Sequence, residues 1–165
     1  MPTIQTIVPC LWFDDQAEAA VKFYTGIFKN SRIMRVSRYG EAGREIHGRP
    51  PGSVMVMEFE LDGQRFTALN GGPIFKFNEA VSLQIYCESQ AEVDHFWTRL
   101  GEGGDPRAQQ CGWLKDKYDL SWQVVPIAMI EMMASTDTAR TQRVMTAMLK
   151  MKKIEIAELQ RAFAG

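Results

Sequence analysis

The chain has 165 residues and a formal net charge of −1, with 45% hydrophobic and 24% charged residues. This balance is typical of a globular protein and gives nucleic acid no basic surface to bind. No apolar run approaches the roughly 20 residues that a bilayer-spanning helix requires. We therefore expect a cytoplasmic protein with neither a nucleic-acid nor a membrane partner.

The three cysteines, Cys10, Cys87 and Cys111, are odd in number and far apart in sequence, and no CxxC pair is present. This pattern indicates neither a disulfide framework nor a zinc knuckle. We expect the thiols to be small core residues in a reducing compartment.

The first part of the chain predicts a strand, a helix and three further strands. Thr3–Phe13 is a strand candidate that Pro9 interrupts, and Asp14 or Asp15 is expected to cap the helix that follows. The apolar positions of this helix recur every three or four residues and predict one buried stripe: Ala17, Ala20, Val21, Tyr24, Ile27 and Phe28. Three more strand candidates follow at Arg32–Tyr39, Ser53–Leu61 and Gln64–Leu69. Asp62-Gly63 predicts a tight hairpin between the last two.

The run Asn70-Gly71-Gly72-Pro73 interrupts the sheet pattern, because glycine and proline rarely continue a regular ladder. A strand is then predicted at Ala80–Cys87, and Ser89 with Glu92 forms a capping box before the next helix. The apolar stripe of this helix comprises Val93, Phe96, Trp97 and Leu100. Pro106–Cys111 is a poor strand candidate, and a second hairpin is predicted from Gly112–Tyr118 and Leu120–Pro126.

The two parts share one element order, and Gln16-Ala17-Glu18 recurs as Gln90-Ala91-Glu92 at matching places. This repetition indicates an internal duplication. The predicted fold is α+β, with one βαβββ module in residues 1–72, a second in residues 73–134, and a helical tail in residues 135–165. The tail is rich in methionine, a residue that adapts its shape to partners. Its apolar face either packs on the domain or a second subunit, or recruits another protein.

Five local motifs are distinctive: Pro9–Phe28, Ala68–Pro73 with Phe75–Glu79, Cys111–Asp116, Ser121–Pro126 and Ala147–Lys153. Together they resemble one known family, the PhnB-like branch of the vicinal oxygen chelate superfamily. That superfamily includes glyoxalase I, extradiol dioxygenases and bleomycin-resistance proteins. The resemblance implies a fold in which curved sheets form a cup, and a homodimer. It implies no reaction. The branch is often described as 3-demethylubiquinone methyltransferase-like, yet no GxGxxG motif follows the first strand to hold a nucleotide-like methyl donor.

Metal-dependent members of the superfamily hold a divalent ion with His and Glu on the first and last strands of each module. The matching positions here fall near Pro9 and Thr67, and near Ser82 and Gln123. Proline offers no ligand, and the other three are poor neutral ligands. The only two histidines, His47 and His95, lie in a polar loop and beside an apolar helix stripe. We therefore expect no metal and no cofactor.

What remains is a cup of neutral polar and aromatic groups. The ligand-binding candidates are Trp12, Thr67, Asn70, Tyr86, Trp113, Lys115 and Gln123. Asn70 either brings backbone donors near a ligand or caps its own turn. Trp12 and Tyr86 either line the cup or pack in the core. Glu58 is expected to face solvent.

Lys115 and Gln123 are the candidates with the most versatile chemistry. Lys115 is either a base or Schiff-base nucleophile, or one half of a solvated ion pair with Asp116. Gln123 is expected to point its amide into the cup, with Trp122 packed behind it.

The sequence favours a small-molecule-binding protein of the vicinal oxygen chelate fold that lacks the usual metal ligands, with an unidentified small molecule as its partner. The alternative is an enzyme of unknown reaction, of lyase, isomerase or transferase type, that uses Lys115 or Gln123 in the same cup.

Overall fold

The computed structural model describes residues 5–165, and the chain forms two compact units, Met1–Lys76 and Phe77–Gly165. Each unit combines a small sheet with helices, which confirms the predicted α+β class. Within residues 5–165, no helix has both the length and the apolar character needed to cross a bilayer.

The first unit contains a four-stranded sheet. Its strands are Cys10–Phe13 (β1), Arg32–Arg38 (β2), Val54–Leu61 (β3) and Gln64–Asn70 (β4), and its helices are Ala17–Thr25 (α1) and Arg44–His47 (α2). The strand order is β1-β4-β3-β2, with β1 parallel to β4 and the other pairs antiparallel. The first strand, β1, is shorter than the predicted strand Thr3–Phe13. Thr3 and Ile4 lie outside the described residues.

The core of the first unit lies between α1 and one face of this sheet. Alternation along β3 turns Met57, Phe59 and Leu61 inward, while Glu58 and Glu60 take the opposite face. The buried side of α1 is formed by Ala17, Ala20, Val21 and Tyr24, so most of the predicted stripe is confirmed. The predicted hairpin is also confirmed. Asp62 and Gly63 have φ values of 49° and 78°, as a type I′ turn requires.

Asn70, at the end of β4, satisfies the first turn of α1. Its Oδ1 accepts a hydrogen bond from the Ala17 amide at 2.9 Å, and its Nδ2 donates to the Val54 carbonyl at 3.1 Å. The expected cap from Asp14 or Asp15 is wrong, because Gln16 occupies the cap position and no side chain nearby in sequence caps the helix. The first amides of a helix lack intrahelical partners, and here a distant strand supplies one.

The second unit contains a three-stranded sheet. Its elements are Leu83–Cys87 (β5), Gln90–Gly101 (α3), Trp113–Lys115 (β6) and Ser121–Pro126 (β7). The strand order is β5-β7-β6, with β5 parallel to β7 and β6 antiparallel to it, so the predicted second hairpin is confirmed. Val93 and Leu100 of α3 are fully buried, as the predicted stripe requires.

Two local predictions in this unit need correction. The strand predicted at Ala80–Cys87 begins only at Leu83, and Val81 is exposed. The segment Pro106–Cys111 contains a 3-10 turn at Pro106–Ala108 in place of a strand. The turn forms because the Asp105 carboxylate accepts the Arg107 amide at 2.9 Å.

The capping box at the start of α3 is present in part. Ser89 Oγ accepts the Glu92 amide at 3.3 Å, as predicted. The Glu92 carboxylate accepts the amide of Glu88, at 2.7 Å, and not that of Ser89.

Three helices follow β7. Helix Ile127–Met133 (α4) precedes the predicted tail, and Thr138–Met148 (α5) and Ile156–Ala164 (α6) lie within it. They enclose a core of Met132, Val144, Met151, Ile154 and Leu159. Asp137 caps α5 by accepting the Ala139 and Arg140 amides, whereas Thr136 does not contribute. Much of the methionine-rich surface is therefore used inside the second unit, which favours packing on the domain over recruitment of another protein.

The three thiols differ in their surroundings. Cys87 is buried, and desolvation, followed by the charge of Glu92, raises the pKa of its thiol to about 12. Cys111 is half-buried. Cys10 is exposed on β1, so the expectation that all three are core residues is wrong.

Replacing Asn70 by alanine is expected to lower the free energy of unfolding by about 2–3 kcal/mol, because the Ala17 amide and the Val54 carbonyl lose their partner. Urea unfolding monitored by circular dichroism measures the change. The matched control is Asn78→Ala, which removes an exposed bond to the Ala80 amide and should change stability by less than about 0.5 kcal/mol. Equal effects from the two substitutions would refute the capping role of Asn70.

Candidate functional site

Four of the seven candidate residues lie on one face of the second sheet. Ile85, Leu114, Trp122 and Val124 are buried on the side where α3 packs, so the alternate residues of the three strands form the other side. We call this other side the far face. It comprises Ser82, Gln84, Tyr86, Trp113, Lys115, Ser121, Gln123 and Val125.

The strand register arranges the far face in rows around β7. Gln123 pairs with Gln84 on one side and with Trp113 on the other, while Lys115 pairs directly with Ser121. Tyr86 pairs with Val125. Since β5 and β6 both flank β7, their backbones are about 10 Å apart. Trp113 and Tyr86 therefore stand on opposite sides of β7, Trp113 in the row of Gln123 and Tyr86 in the row of Val125.

A chain of side-chain hydrogen bonds crosses the far face. The Tyr86 hydroxyl donates to Gln84 Oε1 at 3.1 Å, Gln84 Nε2 donates to Gln123 Oε1 at 3.3 Å, and Gln123 Nε2 donates to Ser82 Oγ at 2.8 Å. The Gln123 amide thus donates and accepts at once, and buried Trp122 packs behind it, as predicted. Gln84 was not predicted from the sequence, because only the parallel register reveals its position opposite Gln123.

Lys115 forms an ion pair with Glu79, at 2.5 Å between Nζ and Oε1. The hydrogen bond from Lys115 is the main reason why the pKa of Glu79 lies below its usual value. The predicted solvated pair of Lys115 with Asp116 is wrong. Neighbouring residues of an extended strand point to opposite faces, so Lys115 reaches the far face and Asp116 reaches the interior.

The buried carboxylate of Asp116 fixes the hairpin that carries Lys115. It accepts hydrogen bonds from Trp122 Nε1 at 2.8 Å, from the Tyr118 amide at 2.8 Å and from the Leu120 amide at 3.2 Å. Burial, followed by the negative charge of Asp116, raises the pKa of Tyr118. These bonds set the register of β6 against β7.

Ser121 contributes a polar group that its surroundings do not satisfy. The residue is 1% exposed, and its Oγ has no hydrogen-bond partner among the described residues. A buried hydroxyl in this state costs about 1–3 kcal/mol. Sequence reasoning did not find Ser121, since a serine at a strand start carries no signal of burial.

The other three candidates, Trp12, Asn70 and Thr67, belong to the first unit. Trp12 Nε1 donates to the Gly72 carbonyl at 2.9 Å, and a Cβ on Gly71 would lie 2.2 Å from its ring. Trp12 therefore closes the turn after β4. Asn70 does not cap its own turn, because its buried side chain bonds the Ala17 amide and the Val54 carbonyl. Its role beside a ligand stays a prediction.

Thr67 lies on the face of the first sheet that points away from α1, between Cys10 on β1 and Glu58 on β3. Glu58 shares this face, and its side chain is 34% exposed and ion-paired with Arg35. The row therefore resembles the row of Gln84, Gln123 and Trp113 in position but not in chemistry.

The described residues do not fit the divalent metal that the superfamily implies. The register places Cys10 and Gln84, in place of Pro9 and Ser82, opposite Thr67 and Gln123. Across residues 5–165, no group of three or more His, Cys, Asp and Glu side chains is arranged to hold an ion.

His47 has a structural role. Its ring packs on Tyr39, with centroids 4.4 Å apart, and its Nδ1 accepts the Arg49 amide at 2.9 Å. These contacts hold the loop that carries α2.

The first unit also contains a cavity of about 360 Å³ near the start of α1, lined by Asp15, Glu18, Arg49, Pro50, Ser53, Val54 and Asn70. Arg49 donates to the Asp14 carboxylate at 3.1 Å, so its charge is already paired. Asn70 is one of the seven ligand-binding candidates, and the other six do not line this cavity.

Comparison with known proteins defines the class. The model of the family described as 3-demethylubiquinone-9 3-methyltransferase matches residues 5–125, and the chain belongs to this family. This match agrees with the resemblance that the sequence motifs show. No curated protein matches the chain.

Solved structures agree with this assignment. The chain is 35% identical to a PhnB protein from Bacillus cereus, with a TM-score of 0.63, and the alignment covers 74% of this chain and 99% of the other. Protein PA1353 from Pseudomonas aeruginosa is 18% identical over 75% of this chain and 98% of its own, with a TM-score of 0.57. The fosfomycin resistance protein FosX from Mesorhizobium loti is 15% identical over 87% and 99%, with a TM-score of 0.51. The last two show likeness of fold alone.

Replacing Asp116 by asparagine is expected to destabilise the protein by about 2–3 kcal/mol, because one of three hydrogen bonds to a charged acceptor becomes a clash between two donors. Asp119→Asn in the same turn is the control. Asp119 is exposed with φ 66°, a conformation that asparagine tolerates well. Urea unfolding of both variants measures the difference, and a loss below about 0.5 kcal/mol for Asp116→Asn would contradict the anchoring role.

Proposed function

We propose that the protein binds a small organic molecule on the far face of its second sheet, and that hydrogen bonds and aromatic contacts hold this molecule without a metal. The observation that carries the proposal is the convergence of Tyr86, Trp113, Lys115 and Gln123 on one face that also holds the unpartnered hydroxyl of Ser121. Buried polar groups in native proteins almost always have a partner, and a bound molecule with a hydrogen-bonding group would supply one to Ser121.

The far face has the chemical composition of a binding site. Trp113 is paired with Gln123, Tyr86 lies on the opposite strand in the row of Val125, and Tyr86 is 58% exposed. Contacts between a planar ligand and such rings are worth about 0.5–1.5 kcal/mol beyond simple burial. Gln123 is held in one orientation by its two neighbours, so little conformational entropy is lost when a ligand binds.

The proposal is tested by a thermal-shift screen of purified full-length protein against aromatic and quinone-like compounds, with and without EDTA. Compounds that raise Tm are then titrated against Gln123→Ala. The Gln123 substitution is expected to weaken binding about tenfold, because the central donor and acceptor are both lost. EDTA is expected to leave binding unchanged.

The matched control is Gln142→Ala, which makes the same change on the exposed side of α5. If Gln123→Ala weakens binding no more than Gln142→Ala does, the ligand does not bind on the far face. Binding abolished by EDTA and restored by a divalent ion would overturn the metal-free site.

We also propose that the protein is a homodimer, which the family resemblance implies. Strand β2 supports this, because among residues 5–165 no strand pairs with its outer edge, and Ile33, Met34 and Val36 are each more than one-third exposed. Unpaired strands with apolar side chains associate readily with other chains.

Val36→Lys is expected to shift the protein from dimer to monomer, because a charge buried in an apolar contact is costly. Light scattering after size exclusion measures the mass. Ile130→Lys, at an exposed position on α4, is the control and should leave the mass unchanged. A monomeric parent protein at micromolar concentration would refute the dimer.

A further inference from the structure

We infer that the molecule bound on the far face carries a carboxylate or a similar anionic group, and that this group replaces Glu79 as the partner of Lys115. The inference rests on the proposed function and defines the chemical class of the ligand: a planar aryl group with one negative charge.

The two partners of the ion pair are held very differently. Lys115 belongs to a strand whose register Asp116 fixes, and its side chain is only 21% exposed. Glu79 lies in the irregular segment before β5, and its side chain is 63% exposed. An ion pair with such an exposed partner contributes about 0–1 kcal/mol. The ammonium is therefore a fixed anion site, and its present occupant is displaced at little cost.

Ser121 marks the same point on the sheet. It lies directly opposite Lys115, and the antiparallel pairing places their Cβ atoms about 5 Å apart on the same face. Glu79 leaves the Ser121 hydroxyl without a partner. A ligand carboxylate has enough lone pairs to accept hydrogen bonds from both Lys115 and Ser121 once the lysine side chain leaves Glu79. An incoming anion would thus satisfy a group that the resident carboxylate does not.

The position of the aromatic rings sets the shape of the rest of the ligand. Trp113 and Lys115 are two residues apart on β6, so their side chains leave the same face about 7 Å apart. One aryl carboxylate of ordinary size spans this distance, with its ring beside Trp113 and over the Gln123 amide. A long or multiply charged anion does not match this arrangement, since Lys115 is the only cationic side chain among the eight far-face residues.

The test compares 2-naphthoate with its neutral amide, 2-naphthamide, by titration of the full chain with chemical-shift readout. The parent protein is expected to bind the acid at least about threefold more tightly than the amide. Lys115→Met should abolish this preference. Glu79→Gln should tighten binding of the acid by about two- to fivefold, since the competing carboxylate is gone, and should leave the amide unchanged.

Two control variants make the same charge changes elsewhere on the second unit. Glu131→Gln on α4 and Lys150→Met after α5 both alter exposed residues, and neither should change the preference for the acid. Ser121→Ala should weaken binding of the acid more than binding of the amide. It should leave the stability of the free protein unchanged or slightly raised, because the unpartnered hydroxyl is removed.

The outcomes separate the two proposals. Equal binding of acid and amide by the parent protein, or equal effects of Glu79→Gln and Glu131→Gln, would overturn the anion inference. When the anion inference fails in this way, the proposed function still stands if neutral compounds bind and Gln123→Ala weakens their binding. If neither naphthalene probe nor any screened compound binds, both proposals fail.

Discussion

The buried carboxylate of Asp116 determines which side chains the second sheet presents on its far face. Its hydrogen bonds to Trp122 Nε1 and to two amides close the hairpin and lock one register. A slip of one residue would exchange the two faces, because side chains alternate along a strand. Lys115 and Gln123 would then turn inward, and Leu114 and Trp122 would face outward. The candidate site therefore depends on a residue that is not part of it.

The two units share one plan but solve its local problems differently. In each, the first strand is parallel to the last, and a hairpin brings the last strand into the centre of the sheet. Helix α3 of the second unit begins with a local cap from Ser89, whereas helix α1 of the first unit takes its cap from Asn70 on a distant strand. Strand β2, which follows the helix of the first unit, has the 3-10 turn at Pro106–Ala108 as its counterpart in the second unit. The two units thus share one architecture, although their individual contacts differ.

The far face also shows why family membership leaves the chemistry open. A fold supports many reactions, and the residues of the site decide among them. The last strands carry Thr67 and Gln123, and both are neutral. In the second unit, hydrogen bonds between neutral side chains run from Tyr86 through Gln84 and Gln123 to Ser82. The ammonium of Lys115 lies on the same face. Such a face offers hydrogen bonds, aromatic surface and one positive charge.

The sequence by itself determined the α+β class, both hairpins, the buried helix stripes and the opposite directions of Trp122 and Gln123. These features follow from periodicity and turn chemistry, which are local. Only the tertiary structure decided the partners of the polar residues. Asn70 bonds Ala17, which is 53 residues away in sequence, and Gln84 bonds Gln123, which is 39 residues away. Lys115 forms its ion pair with Glu79 and not with its neighbour Asp116. Such pairings depend on strand register and burial, which no short stretch of sequence encodes.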